Sequence, residues 1–252
     1  MRTSSQNIKN SDKNSSQKPC GSLYLIPVGL GSENINDILP KGNYDKIKGL
    51  DEFIVENVRT ARRFLRTAGF NKSFDEITFH ILNKHTPDEE IPGFLKNAEM
   101  GKNIGLLSEA GVPCIADPGQ VVVKYAHEKG IRVKPLVGPS SILLALMASG
   151  FNGQNFVFHG YLPIETKHRI QKIREIEQDI YRKEQTQIFM ETPYRNNALI
   201  EDLINTCKPD TMLCIASNIT CNNEIIMTRN VLDWKNQLPN LDKQPTVFLL
   251  YK

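Results

Sequence analysis

Short apolar runs separated by turn residues recur along this chain. Leu23 to Val28, Phe53 to Val55, Ile77 to Leu82, Ile104 to Leu107 and Ile131 to Val137 each read as a strand. Helical patterns fall between them, over Val58 to Ala68, Glu89 to Glu99 and Gly119 to Glu128. Repeated alternation of strand and helix predicts a parallel sheet covered on both faces. The pattern restarts at Gly138-Pro139-Ser140-Ser141, which opens an apolar helix, Ile142 to Ala148. Phe156 to His159 and Thr186 to Met190 read as strands, and Asn197 to Thr206 as a helix that ends before Pro209. Residues 165–183 read as a long, highly charged helix with little apolar face. Met212 to Ala216, Glu224 to Thr228 and Thr246 to Tyr251 then follow as strands without intervening helices, which predicts a mixed sheet. The expectation is therefore an α/β chain of two α/β domains, 22–137 with a parallel sheet and 138–252 with a mixed one, and a cleft between them. Residues 1–21 are rich in Ser, Asn, Gln and Lys and predict a disordered tail.

Composition narrows the class. A hydrophobic fraction of 40% with 23% charged residues is ordinary for a globular protein. No apolar stretch approaches the roughly 20 residues that a membrane helix needs. The polar N-terminus carries no signal-peptide core, so a cytoplasmic protein with no membrane association is expected. The net charge of +3 is carried by the first twenty residues, which hold Arg2, Lys9, Lys13 and Lys18 against Asp12. The remaining basic and acidic residues balance, so the body is no strong non-specific nucleic-acid binder, although it can still present a basic face. The five cysteines form no C-x-x-C pair and no zinc spacing, which predicts reduced thiols and no metal. None of the five histidines pairs with Cys, Asp or Glu at a metal or triad spacing. His159 alone is expected at a strand end facing the cleft.

The densest chemistry is residues 108–119, Ser-Glu-Ala-Gly-Val-Pro-Cys-Ile-Ala-Asp-Pro-Gly. A strand leads in and a helix leads out. In a parallel sheet, ligands sit where strands end and turn backbone is exposed. Gly111 and Gly119 allow backbone to approach a ligand closely, and Asp117 stands where a helix cap is expected. The block resembles the S-D-A-G-T-P-x-I-S-D-P-G signature of the ribosomal RNA small subunit methyltransferase I family. That family lies within the tetrapyrrole-methylase superfamily of class III S-adenosylmethionine (SAM) methyltransferases. Glu109, Val112 and Ala116 replace its usual Asp, Thr and Ser.

Other segments carry the same resemblance over about residues 22–252. Ile26 to Gly29 is similar to the family's T-P-I-G, after which Leu30-Gly31-Ser32 departs from its N-L-x-D. Glu56 to Leu65 resembles E-D-T-R-x-T-x-x-L-L, with Asn57 for Asp. Gly138 to Ser141 resembles G-P-[SC]-[AS], Phe158 to Pro163 resembles F-x-G-F-L-P, and Phe189 to Arg195 resembles F-Y-E-S-P-x-R. Ser217 to Cys221 stands where R-E-L-T-K is usual, and Pro245-Thr246 where G-E is usual.

The resemblance implies a tetrapyrrole-methylase-like fold, SAM held in the cleft, and a homodimer. It implies cofactor contacts at Pro27, Val28, Gly29 and Leu30, at Ser108, Glu109, Ala110, Gly111, Val112 and Ile115, at Ser140 and Ser141, at Met190, and at Pro245 and Thr246. For a ribose 2′-hydroxyl acceptor, Glu56 and Asp117 are the candidate bases. Arg59, Arg62 and Arg63 share one side of a helix and either bind phosphates or form a solvated face bridged to Glu56. Arg195 either holds an RNA phosphate or pairs with Glu191. Three functions stay open: a 2′-O-ribose methyltransferase acting on ribosomal RNA or the small ribosomal subunit, a methyltransferase of this fold with a small-molecule acceptor, and a non-catalytic SAM-binding protein. The tetrapyrrole methylases' own G-x-G-P-G-D and S-G-D-P motifs are absent, which disfavours a tetrapyrrole acceptor.

Overall fold

The computed structural model describes residues 20–32 and 34–252. The tail expected over 1–21 lies outside the described residues except for Cys20 and Gly21.

Among the described residues, ten strands and eight α-helices follow one another as β1 (Ser22–Ile26), α1 (Lys41–Lys48), β2 (Glu52–Val55), α2 (Val58–Thr67), β3 (Thr78–Ile81), α3 (Lys96–Glu99), β4 (Ile104–Leu107), α4 (Gln120–Glu128), β5 (Arg132–Pro135), α5 (Ser141–Ser149), β6 (Phe156–Tyr161), α6 (Thr166–Lys183), β7 (Thr186–Met190), α7 (Asn196–Thr206), β8 (Met212–Ser217), β9 (Ile225–Asn230), α8 (Val231–Asn236) and β10 (Thr246–Tyr251). The first sheet runs β3-β2-β4-β1-β5 with every pair parallel. The second runs β6-β7-β10-β8-β9, parallel only between β6 and β7. The expected α/β class, with one parallel and one mixed sheet, is what the chain forms.

The strand runs are legible because their residues are buried on both faces. Leu23, Ile26, Phe53, Ile54 and Ile104 have no exposed surface. The edge strands β3 and β5 are half-exposed and more polar.

Three elements differ from expectation. The stretch expected as a helix over Glu89 to Glu99 is a tight 3-10 turn, Ile91–Leu95, followed by the single turn of α3. Pro92 and Gly93 lie inside it and break the α pattern. Helix α1 was not expected. It is polar, and it is anchored at long range by Ile47 in the core and by Asn43 Nδ2, which donates to the Val137 carbonyl at 2.8 Å. The charged helix α6 does carry an apolar face: Ile173, Ile176 and Ile180 pack with Leu203, Phe189, Trp234 and Phe248. Its buried Arg169 and Glu177 are also paired. Arg169 Nε donates to Asp202 at 2.6 Å, and Glu177 Oε1 accepts from Lys208 N and Thr211 Oγ1, each at 2.6 Å.

Candidate active site

A cavity of about 390 Å³ opens where the carboxyl ends of β2 and β4 meet the matching edge of the second sheet. Its volume falls within the range of about 300–1,000 Å³ typical of small-molecule sites. One wall comes from Leu30, Glu56, Ser108 to Ala110 and Ile115 to Asp117. The other comes from α5 (Ser141, Ile142), from the ends of β6, β7 and β8, and from the start of β10.

The 108–119 turn is a rigid object. Ser108 Oγ donates to Gly111 O at 2.8 Å, and Val28 N donates to the same carbonyl at 2.9 Å. Cys114 and Ala116 hold positive φ of 70° and 60°, conformations costly for residues with a Cβ. Asp117 offsets that cost, because its Oδ1 accepts from Cys114 N and Gly119 N at 2.8 Å each. Asp117 thus closes the turn. The residue that caps α4 is Gly119, with no side-chain bond. The close approach at Gly111 is to protein: a Cβ there would meet Leu30 Cδ2 at 3.1 Å and Pro139 O at 3.2 Å. Its φ of +69° also favours glycine. Gly119 is packed against Leu106 and Cys114 in the same way.

Glu56, Glu109 and Asp117 cluster at the first wall. Burial, then the negative charges of Asp117 and Glu109, push the Glu56 carboxyl above its ordinary range; a backbone hydrogen bond from Glu109 opposes them. Burial likewise raises Asp117, against the two amide donors it accepts from. Glu109 Oε1 accepts from Thr60 Oγ1 at 2.6 Å, which ties the turn to α2. Asn57 caps α2, accepting from Arg59 N at 2.8 Å, so it replaces the usual Asp without loss of the cap.

Of the residues expected to contact a cofactor, Leu30, Ser108, Glu109, Ala110, Ile115, Ser141, Met190, Pro245 and Thr246 line the cavity. Glu56 and Asp117 line it too. Pro27, Val28, Gly29, Gly111, Val112 and Ser140 do not; they stand behind the wall. Val28 holds Gly111, Pro27 packs on Gly138, and Ser140 caps α5 by accepting from Leu143 N at 3.5 Å. Arg59, Arg62 and Arg195 are not in the lining either. Arg62 lies over the Phe74 and Phe79 rings at 5.3 and 5.5 Å, Arg59 is exposed, and Arg195 pairs with Glu191 at 2.5 Å. His159 lies within β6, bonded to Gln187 at 2.7 Å, and outside the lining; burial lowers its pKa. Ala116, Tyr161, Glu191 and Pro193 also line the cavity, within segments whose motifs marked them as ligand-side turns, whereas Ile142, Ala216, Ile219 and Val247 carry no such marker and are brought there by the topology. No cluster of potential metal ligands occurs among the described residues, and no described helix is long and apolar enough to cross a membrane.

Two sheets with a cleft between their strand ends are the architecture of the tetrapyrrole methylases. The family model for Tetrapyrrole (Corrin/Porphyrin) Methylases matches residues 22–233. The crystal structure of the methyltransferase CobJ aligns with a TM-score of 0.62 at 16% identity, over 92% of this chain and 94% of that one. Uroporphyrin-III C-methyl transferase from Thermus thermophilus, complexed with S-adenyl homocysteine, aligns with a TM-score of 0.56 at 15% identity, over 92% and 98%. At these identities the likeness speaks for the fold. Ribosomal RNA small subunit methyltransferase I of Haemophilus influenzae is 30% identical over 233 residues, 91% of this chain and 78% of that protein. Its counterpart in Vibrio cholerae is 29% identical over 232 residues, 91% and 76%. The chain belongs to the ribosomal RNA small subunit methyltransferase I family of methyltransferases.

Proposed function

We propose that this protein transfers a methyl group from SAM to a ribose hydroxyl of small-subunit ribosomal RNA. The observation that carries the donor assignment is the chemistry of the cavity. Its lining holds four carboxylates (Glu56, Glu109, Asp117 and Glu191) and no Lys, Arg or His. A ligand that joins cationic groups to an aromatic base suits such a lining, with Leu30, Ile142, Met190, Ile219 and Val247 as the apolar part that the base faces can cover. SAM supplies an electrophilic methyl group on a sulfonium. The chain's own part is to orient donor and acceptor, exclude water and accept a proton. Glu56 and Asp117 suit that last role, since a raised pKa brings a carboxylate toward the operating pH of a general base.

The RNA acceptor is favoured by the named relatives and by the arginines of α2, of which Arg59, Arg62 and Arg63 are exposed. Pro27, Val28, Gly29, Gly111, Val112 and Ser140 support the cofactor wall in this reading, and Arg62 and Arg195 order surfaces beside it. The protein acts in the cytoplasm as a homodimer. Exposed apolar Val137, Leu143 and Met147, close together in sequence, are the candidate contact.

Labelled methyl transfer to naked ribosomal RNA and to assembled small subunits tests the acceptor; label in either is expected. Binding of S-adenosylhomocysteine without label in either would overturn the RNA acceptor. Affinity for it no better than about 1 mM would overturn the donor assignment as well.

A further inference from the structure

Of the seven tyrosines in the chain, two are not used by the fold. Tyr24, Tyr44 and Tyr181 take part in hydroxyl hydrogen bonds, and Tyr125 and Tyr251 pack against buried clusters. Tyr161 and Tyr194 have neither a hydroxyl partner nor a ring partner among the described residues, and they are 55% and 77% exposed. Both stand at the mouth of the cleft. Tyr161 ends β6, lines the cavity and pairs in register with Met190 of β7. Tyr194 follows Pro193, another lining residue, in the turn after β7. Neither turn is loose. Buried Arg169 donates to the Ile164 carbonyl at 2.7 Å, which fixes the segment after Tyr161. Arg195 N donates to Thr192 O at 2.9 Å and Lys243 N to Pro193 O at 3.2 Å, which pins the turn that carries Tyr194. An aromatic ring held out in water on a rigid turn loses little freedom when something stacks on it.

Charge decides what stacks there. The four carboxylates of the lining, with no Lys, Arg or His among them, repel phosphate. Cations stand outside. Exposed Lys167 opens α6 just after the segment that follows Tyr161, and exposed Lys243 is bonded through its backbone to Pro193. Asp242 lies 4.0 Å from the Lys243 ammonium, a pair too exposed to hold it. An RNA strand meets both conditions, with phosphates on the outer lysines and bases on the rings, but only where its bases are unpaired and their faces are free.

We propose that Tyr161 and Tyr194 form a stacking platform for unpaired RNA bases at the mouth of the cleft, which makes the acceptor a single-stranded segment. This rests on the proposal that the acceptor is RNA. The phosphates stay outside the carboxylate-lined cavity while a sugar is presented to it. The two tyrosines bind substrate and take no part in the transfer.

The test is fluorescence anisotropy of the full chain with a labelled single-stranded RNA oligonucleotide of about ten nucleotides and mixed sequence, in the presence of S-adenosylhomocysteine and over a salt series. Tyr161→Ala and Tyr194→Ala should each lower the affinity by about tenfold to a hundredfold, the value of stacking one base on a ring. Tyr161→Phe and Tyr194→Phe keep the ring and should stay within about threefold of wild type. The slope of log affinity against log salt should be the same in every variant, because no phosphate contact is lost. The oligonucleotide annealed to its complement should bind wild type and alanine variants alike, since its base faces are covered. Alanine variants that bind the single strand as wild type does would overturn the proposal, as would phenylalanine variants as weak as the alanine ones. A Tyr161→Ala protein that loses S-adenosylhomocysteine as strongly as RNA assigns that ring to the donor and overturns the platform as drawn. If thermal melting shows that Tyr161→Ala does not fold, Tyr194→Ala decides. A wild type that methylates ribosomal RNA without binding the oligonucleotide overturns the platform and leaves the RNA acceptor standing. No methyl label in naked RNA or assembled subunits would instead overturn the RNA acceptor itself.

Discussion

Replacing Gly138 with alanine should damage both the fold and the cleft, because this glycine sits where the segment leading to Leu30 of the first wall meets the segment leading to α5 of the second. An added Cβ would lie 2.3 Å from both Cβ and Cγ of Pro27 and 3.2 Å from Leu39 Cδ2. Ordinary contact begins near 3.4 Å, so Pro27 and residue 138 must part by about 1.1 Å. Pro27 has little freedom to retreat. Its ring is rigid, and the next residue, Val28, is held by its hydrogen bond to Gly111 O at 2.9 Å. Overpacking of this kind costs about 1–3 kcal/mol, and a rigid neighbour places the cost at about 2–3 kcal/mol. For a chain of this size that lowers Tm by about 4–12 °C. The same displacement moves the segments that bring Leu30 and Ser141 to the cavity, so affinity for S-adenosylhomocysteine should fall as well. Gly42→Ala is the control. A Cβ at Gly42 meets nothing within 4 Å, and the residue lies in α1, so alanine there should raise Tm by restricting the unfolded chain. Differential scanning fluorimetry and calorimetry read both effects. A Gly138→Ala protein that melts and binds like the wild type would refute the claim that this contact is rigid.

Glu56→Gln should raise Tm at neutral pH. The folded protein favours the protonated acid, so that contribution is complete below the ordinary pKa of 4.5 and is lost as pH rises through the raised folded value. The advantage of the variant should therefore vanish below pH 4.5, and a constant difference across a fluorimetric pH series would count against it. Arg169→Ala removes a guanidinium that is 7% exposed from Asp202 and from the Ile164 carbonyl at 2.7 Å. It should cost about 3–5 kcal/mol in urea unfolding, with partial recovery on adding Asp202→Asn. Thiol titration of the native protein should label the exposed Cys20 first. Burial, aided by Asp117, pushes the Cys114 thiol up to about 12, and burial also raises Cys207 and Cys214. These three should react only on unfolding, as mass mapping of the labelled peptides would show.

The strands were readable from sequence because a parallel strand buried on both faces needs an unbroken apolar run, and Ile104 to Leu107 or Phe53 to Val55 has nearly nothing else. Helix α1 was not readable. Its reason to exist lies in Asn43 reaching the Val137 carbonyl, 94 residues away. Helix α6 misled for the opposite reason: its three core isoleucines are few among charges, two of which are themselves buried and paired. The first wall of the site was legible because a turn closed by glycine, proline and aspartate carries its geometry in its composition. The second wall is marked only in part, by the Gly138–Ser141, Phe158–Pro163 and Phe189–Arg195 motifs that hold Ser141, Tyr161 and Glu191. Ala216 and Val247 read only as strand residues. Their place at the cavity follows from β6, β7 and β8 ending, and β10 starting, along one sheet edge.

The chain departs from its relatives' motifs most clearly at Leu30 to Ser32 and at Ser217 to Cys221, far apart in sequence, and the fold makes these departures a single place. A Cβ at Gly31 would lie 2.8 Å from Cys221 Sγ, so a larger residue at 31 displaces the Cys221 side chain. Gly31, Asn218 and Thr220 all hold positive φ, at 129°, 50° and 72°, so both segments are fixed in uncommon conformations where they meet. Leu30 and Ile219 belong to one apolar cluster with Ile142 and Val247, and all four line the cavity. The substituted segments thus contribute apolar surface to the cleft, whereas three of its four carboxylates are Glu56 and the two of the 108–117 turn, where the family motif is best kept. Under the proposed function, substitution here acts on the shape that admits an acceptor and leaves the proton-accepting carboxylates in place. The two segments therefore shape one part of the cleft and constrain each other there.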